Sequence, residues 1–256
     1  MKKKILYFLI FIILSIFLYL NLNSKRYTGV NYSVSSEEIK NLTKIKDFYK
    51  RHNNYKILVK EISKNSVENN QILKISRWVY FNIKKTREDE NIIDSHPWTI
   101  IERKIGSQDQ FSDILSVLLV YKNIDSFYLL NHGKYKHPLT YFKSNENWSV
   151  IDPYYGIYFL NDNNEFCSIA EHKSKKCLIF HLKYKKNIQE EIDYIFFDKD
   201  FNNINDIVNY YGELIKNSPT SQDIEKTNIY LRGGRSYVQK PFHRLFYQIQ
   251  KILKFI

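Results

Sequence analysis

The order of signals along the chain predicts an α+β fold, with helices first and an antiparallel run of strands after them. Three observations carry this. Apolar residues recur at helical spacing through the first part of the chain. One stripe, Phe111, Ile114, Leu115, Leu118 and Leu119, marks a long buried helix in the middle. After Asn123 the period shortens to that of strands, and Asn-rich turns punctuate the sequence.

The 256-residue composition, 43% hydrophobic and 26% charged, is that of a globular chain with one medium domain. With 21 Tyr and 17 Phe a sizeable core is available, while only 7 Gly and 5 Pro argue against collagen-like or linker-rich character.

The first element is apolar throughout. "MKKK" leads into "ILYFLIFIILSIFLYL", Ile5 to Leu20, and then "NLNSKR". At about 1.5 Å per residue the run reaches about 24 Å, or about 27 Å if it continues to Leu22, short but adequate for one membrane span. No small-residue cleavage site follows, so residues 1–24 read as an uncleaved signal-anchor rather than a cleaved signal peptide. Lys2, Lys3 and Lys4 put the N-terminus in the cytoplasm, although Lys25 and Arg26 lie on the other flank. Residues 25–256 then form an extracytoplasmic domain, held to the membrane through residues 5–22.

Next, "SVSSEEIKNLTKIKDFYKRH" reads as a helix. Ser35 and Glu38 have capping-box spacing, and Ile39, Leu42, Ile45 and Phe48 share a face. A second helix covers "NNQILKISRWVYFNIKK", with Ile72, Ile75, Val79 and Ile83 inside. "TREDENIIDSHPWTIIERKIG" reads as a loop-rich passage in which Trp98 packs. At its end, Ser107 and Gln110 have capping-box spacing and Asp109 suits the positive end of a helix dipole, so a helix runs from Asp109 to about Lys122.

"DSFYLLNH", "HPLTYFKS", "NWSVIDP" and "YGIYFL" read as four short strands, with "SNEN" and "NDNNE" supplying turns. "CLIFHLKY" and "IDYIFFD" are further strand candidates, with a loop-like "NEFCSIAEH" before them. Ile204, Ile207, Val208, Tyr211, Leu214 and Ile215 mark another helix. The C-terminal "KPFHRLFYQIQKILKFI", about 241–256, is an amphipathic helix that docks on the domain or on an anionic membrane surface.

Cys167 and Cys177 are the only cysteines; outside the cytoplasm they can form one disulfide. No metal-ligand spacing stands beside them, and no metal or cofactor is expected. The net charge of +12 suits an acidic glycan or anionic lipid. Without a helix-turn-helix, zinc-ligand or ribonucleoprotein motif, and with the lysines scattered, no nucleic-acid partner is expected.

The chemistry comes from element order. A thiol enzyme needs a cysteine at a helix N-terminus, a histidine base, and a carboxylate or amide that orients the histidine. His137 begins "HPLTYF" and Asp152 ends "NWSVIDP", so adjacent antiparallel strands joined by "SNEN" can bring them side by side. The helix start, "IGSQDQ", holds no cysteine.

"LKISRWVYFNI", "GSQDQFSDILSVLL", "NIDSFYLL", "HPLTYF" and "NWSVIDPYYGIYF" follow one another in a way that resembles bacterial transglutaminase-like proteins, over about residues 73–160. The resemblance implies a papain-like cysteine-protease fold, with helices on an antiparallel sheet behind the N-terminal membrane helix. It carries the histidine position onto His137 and the aspartate position onto Asp152. The nucleophile position, two residues after the glycine, falls on Gln108. A glutamine amide is no nucleophile, because its nitrogen lone pair is delocalised, although it can hydrogen-bond. The resemblance therefore implies a non-catalytic binding or accessory protein of the cell envelope, with a link to surface polysaccharide. The alternative is an active hydrolase or acyltransferase that uses a displaced nucleophile with His137 and Asp152. An enzyme requires a nucleophile within hydrogen-bond reach of His137, a binding module an open polar cleft, and a purely structural protein a cleft filled by side chains.

Overall fold

The computed structural model describes residues 2–28, 35–64, 68–86, 96–130, 137–174, 176–183 and 204–227. The strand candidate "IDYIFFD" and the C-terminal amphipathic helix lie outside them.

The first helix, α1 (Lys2–Asn21), follows from the unbroken apolar run. It is long and apolar enough to cross a membrane, properties shared by signal sequences and anchors, and none of it is buried against the rest of the chain. Strand β1 (Asn23–Thr28) then pairs antiparallel with β2 (Ser35–Lys40), Asn23 opposite Lys40 and Thr28 opposite Ser35. This corrects the helix expected from Ser35. Pairing with β1 satisfies the backbone there, so Ser35 and Glu38 form no capping box. The helix starts instead at Asn41, after an extended Lys40, as α2 (Asn41–Ile62). It also runs beyond His52, burying His52, Tyr55 and Val59.

Helix α3 (Glu68–Asn82) places Ile72, Ile75 and Val79 in the core, and Ile83 just past its end is buried as well. Strand β3 (Lys84–Lys85) pairs parallel with β4 (Ile105–Gly106). Between them, the passage expected to be loop contains α4 (Pro97–Arg103). Pro97 sits in its first turn, and the His96 side chain accepts from the Trp98 N–H at 3.1 Å. Trp98 packs edge-on against Tyr55 with ring centroids 5.0 Å apart. Helix α5 (Gln108–Tyr121) carries the expected stripe, all of it buried, and Val117 and Val120 are buried too, so the helix is central.

The five-stranded antiparallel sheet has the order β5 (Ser126–Leu130), β6 (Pro138–Ser144), β7 (Asn147–Asp152), β8 (Ile157–Leu160), β9 (Leu178–His181). Asn145 and Glu146 turn β6 into β7 with positive φ, and Asn164 takes the same conformation after β8. Between β8 and β9, where a loop was expected, lies α6 (Ile169–Lys173), whose Ser168–Glu171 capping box closes at 3.1 and 2.8 Å. Cys167 and Cys177 are joined as a disulfide. Helices α7 (Ile204–Lys216) and α8 (Ser221–Thr227) complete the described chain.

The alternation of side chains divides the core in two. Phe142, Ile151 and Tyr158 on one sheet face join Ile72, Val79, Ile114 and Leu118 from α3 and α5. Leu139, Tyr141, Trp148, Val150 and Phe159 on the other join Ile169, Ile207, Tyr211 and Leu214 from α6 and α7. The sheet is therefore a middle layer between helices.

Candidate functional site

His137 immediately precedes β6 and Asp152 ends β7. In the β6–β7 register Thr140 faces Ile151 and Tyr141 faces Val150, which puts Asp152 opposite Leu139. His137 is two residues from Leu139 and so lies diagonally across from Asp152 on the same sheet face, within reach of long side chains. There the His137 Nε2 and Asp152 Oδ2 atoms meet at 2.6 Å.

The pair is enclosed. His137 is 1% exposed and Asp152 0%. The Asp152 Oδ2 also accepts from the Tyr211 hydroxyl of α7 at 2.6 Å. The Oδ1 accepts from the Tyr154 and Tyr155 backbone N–H groups at 2.9 and 3.1 Å. Burial by itself would push the carboxyl up; the His137 charge, with hydrogen bonds from His137, Tyr211 and the Tyr155 backbone, holds it below the usual carboxylate range. Burial, and then the Asp152 carboxylate, drive the Tyr211 phenol well above its ordinary value, so Tyr211 stays a neutral donor.

The rings around His137 complete the enclosure. Tyr155 stacks on the imidazole at 5.4 Å between centroids, and Tyr210 presents its edge at 5.7 Å. The Lys85 ammonium lies over the Tyr154 and Tyr155 rings, 4.6 and 4.9 Å from their centroids.

Gln108 opens α5. Its Nε2 donates to the Tyr155 hydroxyl at 3.5 Å, a long bond, so Tyr155 links the helix start to the His137–Asp152 pair. The helix is anchored locally and to β6. Gln110 Oε1 accepts from the Ser107 N–H and from Arg103 Nη2, both at 3.1 Å. Ser112 Oγ donates to the Pro138 carbonyl at 3.1 Å, and Thr140 Oγ1 to the Ser112 carbonyl at 3.2 Å. The Ser107 hydroxyl is hydrogen-bonded to Asp109. Both thiols of the chain are consumed in the disulfide. Among the described residues no cluster of three or more His, Cys, Asp or Glu could hold a metal ion.

Sequence reasoning named His137, Asp152 and Gln108. It read Tyr211 only as part of a helix face, and Tyr155 as the start of the strand "YGIYFL", whereas Tyr155 lies in the turn before β8. The Asp-Pro-Tyr-Tyr-Gly spacing was the available signal for the two backbone donors, since an aspartate at a turn commonly accepts from N–H groups two and three residues on.

No family model and no curated protein matches the chain. Among solved structures, the chain is similar to a "putative cysteine protease" from Cytophaga hutchinsonii at 17% sequence identity and a TM-score of 0.36. The match covers 43% of this chain and 42% of that one, so the chain spans less than half of that protein's length.

Proposed function

We propose that this is a membrane-anchored, extracytoplasmic protein with a transglutaminase-like, papain-related core in which Gln108 stands where the catalytic cysteine would be. It works without acyl-transfer chemistry, as an accessory protein of the cell envelope, and the packing of Tyr155 and Tyr210 on His137 favours the filled cleft of a structural role over an open binding cleft. The observation that supports the reading is the buried His137–Asp152 pair, linked through Tyr155 to Gln108 at the start of α5.

A histidine beside a carboxylate can move protons for a neighbouring nucleophile. Gln108 is not one, and Cys167 and Cys177 are disulfide-bonded. The Ser107 hydroxyl is directed to Asp109. Substrate would have to displace Tyr155 or Tyr210 to touch an imidazole that is 1% exposed. The pair instead acts as a pin that joins β6, β7 and α7. The apolar α1 supports the anchor, and the net charge of +12 suits an acidic glycan or anionic lipid as partner.

The test restores the thiol. With the native cysteines oxidised, Gln108→Cys supplies a single free thiol at a helix N-terminus, with Tyr155 between it and the His137 imidazole. Its alkylation by iodoacetamide should titrate below the ordinary thiol pKa of about 8.5, and adding His137→Ala should slow it at neutral pH. Alkylation with an ordinary thiol profile, indifferent to His137→Ala, would remove the reading that Gln108 holds a nucleophile position.

A further inference from the structure

Helix α2 has a face that the core does not use. His52, Tyr55 and Val59 point inward, and Asp47 is held by Arg26 of β1 at 3.1 Å. At 3.6 residues per turn, Ile45, Lys46, Tyr49, Lys56, Ile57 and Lys60 occupy an arc of roughly 120° on the remaining surface. Ile45 is 50% exposed, Tyr49 64% and Ile57 57%, and the three lysines are exposed as well. The arc carries no acidic residue.

The start of α2 is fastened to the end of α1. The Asn41 backbone N–H donates to the Leu22 carbonyl at 3.0 Å, and Asn41 Nδ2 donates to the Tyr19 carbonyl at 3.0 Å. Where α1 lies in a membrane, the first turns of α2 therefore emerge at its surface. Ile45, Tyr49 and Ile57 lie about 6, 12 and 24 Å along the helix from Asn41, so all three reach a headgroup layer of about 5–8 Å when α2 lies along the membrane surface.

We propose that this face of α2 is a lipid-contacting surface, on which the lysines meet anionic headgroups and Ile45, Tyr49 and Ile57 enter the headgroup–acyl boundary. The inference rests on the reading that α1 stays in the membrane. The mixture of residues selects lipid over an acidic polymer. Lysines alone would suit either, whereas interleaved isoleucines need an apolar layer beneath the charge.

The experiment uses the full chain in vesicles of phosphatidylcholine alone or with about a third phosphatidylglycerol. An environment-sensitive dye is placed at Tyr49→Cys or, for comparison, at Asp162→Cys in the exposed turn after β8. Quenching by lipids with nitroxide near the headgroup is then measured. In the anionic vesicles, position 49 should be quenched several-fold more than position 162. The excess should shrink in neutral vesicles, in high salt, and in the combined Lys46→Gln, Lys56→Gln, Lys60→Gln variant. The salt arm needs no lysine variant and stands if that variant misfolds. Equal quenching at the two positions overturns the proposal, as does quenching at position 49 that ignores lipid charge. An alkaline carbonate wash separates the premises. A chain that resists the wash but shows no excess loses only the α2 face, whereas a chain washed off loses the anchor and this inference with it.

Discussion

Replacing Tyr211 with phenylalanine removes one oxygen from a site that is 0% exposed and leaves the ring in place. That oxygen donates to Asp152 Oδ2 at 2.6 Å, and after its loss the carboxylate keeps His137 and the Tyr154 and Tyr155 N–H groups. A hydrogen bond to a buried charged group contributes about 1.5–3 kcal/mol. For a chain of this size that is a fall in Tm of roughly 3–12 °C. The pH dependence gives a second readout. Asp152 has a lowered pKa in the folded state, so its contribution to stability is present above the ordinary carboxylate pKa and is lost as pH falls through the folded value. The Tyr211 bond helps to hold that value down. In the Phe variant the folded pKa rises towards the unfolded one, so the acid loss is smaller and is complete at a higher pH. Thermal unfolding of the full chain in detergent, followed by circular dichroism from neutral pH downward, measures both effects. An unchanged Tm with superimposable acid profiles would show that α7 is not held to the sheet through this carboxylate, and the pin reading would fail.

Gly156 adopts φ +73°, and a Cβ there would lie 2.9 Å from Tyr80 Cε2 and 3.1 Å from His181 Nε2. Gly156→Ala should cost about 1–3 kcal/mol from backbone strain alone, more with the clash, read as a lower urea midpoint. His181 is buried and its pKa is lowered from 6.5 to about 4, chiefly by burial, so the folded state keeps it neutral while the unfolded chain takes up a proton. Stability present above pH 6.5 should be lost progressively down to about pH 4, by roughly 3 kcal/mol, and His181→Gln should flatten that window. Partly exposed His172, also lowered to about 4 by burial, acts in the same direction. Alkaline phosphatase fused after Ser24 should be active and β-galactosidase at the same point inactive; the reverse pattern would end the extracytoplasmic reading.

Much of the architecture is written in local pattern. The α5 stripe at i, i+3, i+4, i+7 and i+8 reads as a helix, and β5 to β8 are short, largely apolar runs between polar turns, as strands buried on both faces should be. The order of those runs, with the turn "SNEN" between two of them, put His137 and Asp152 on neighbouring strands, and their side chains meet at 2.6 Å. Short elements were harder to read. Helices α4 and α6, of 7 and 5 residues, are too brief to show a period, and only Pro97 and the Ser168–Glu171 spacing signalled them.

By itself, the sequence determined the apolar first helix, the α-then-β order, the absence of a thiol at Gln108 and the supply of two cysteines, because each is a property of residue type or short-range period. Three other features were decided only by the tertiary structure. Residues Ser35–Lys40 became a strand because β1 lies beside them; their side chains are nearly all exposed and carry no alternation to read. Tyr211 became a ligand of Asp152 because α7 packs on the same sheet face, whereas helical spacing reveals burial and not which buried oxygen a hydroxyl will meet. Tyr155 came to lie between Gln108 and His137 because α5 packs on one sheet face, His137 lies on the other, and the turn after β7 brings Tyr155 to both. Such contacts join residues far apart in the chain, and local propensity contains no term for them.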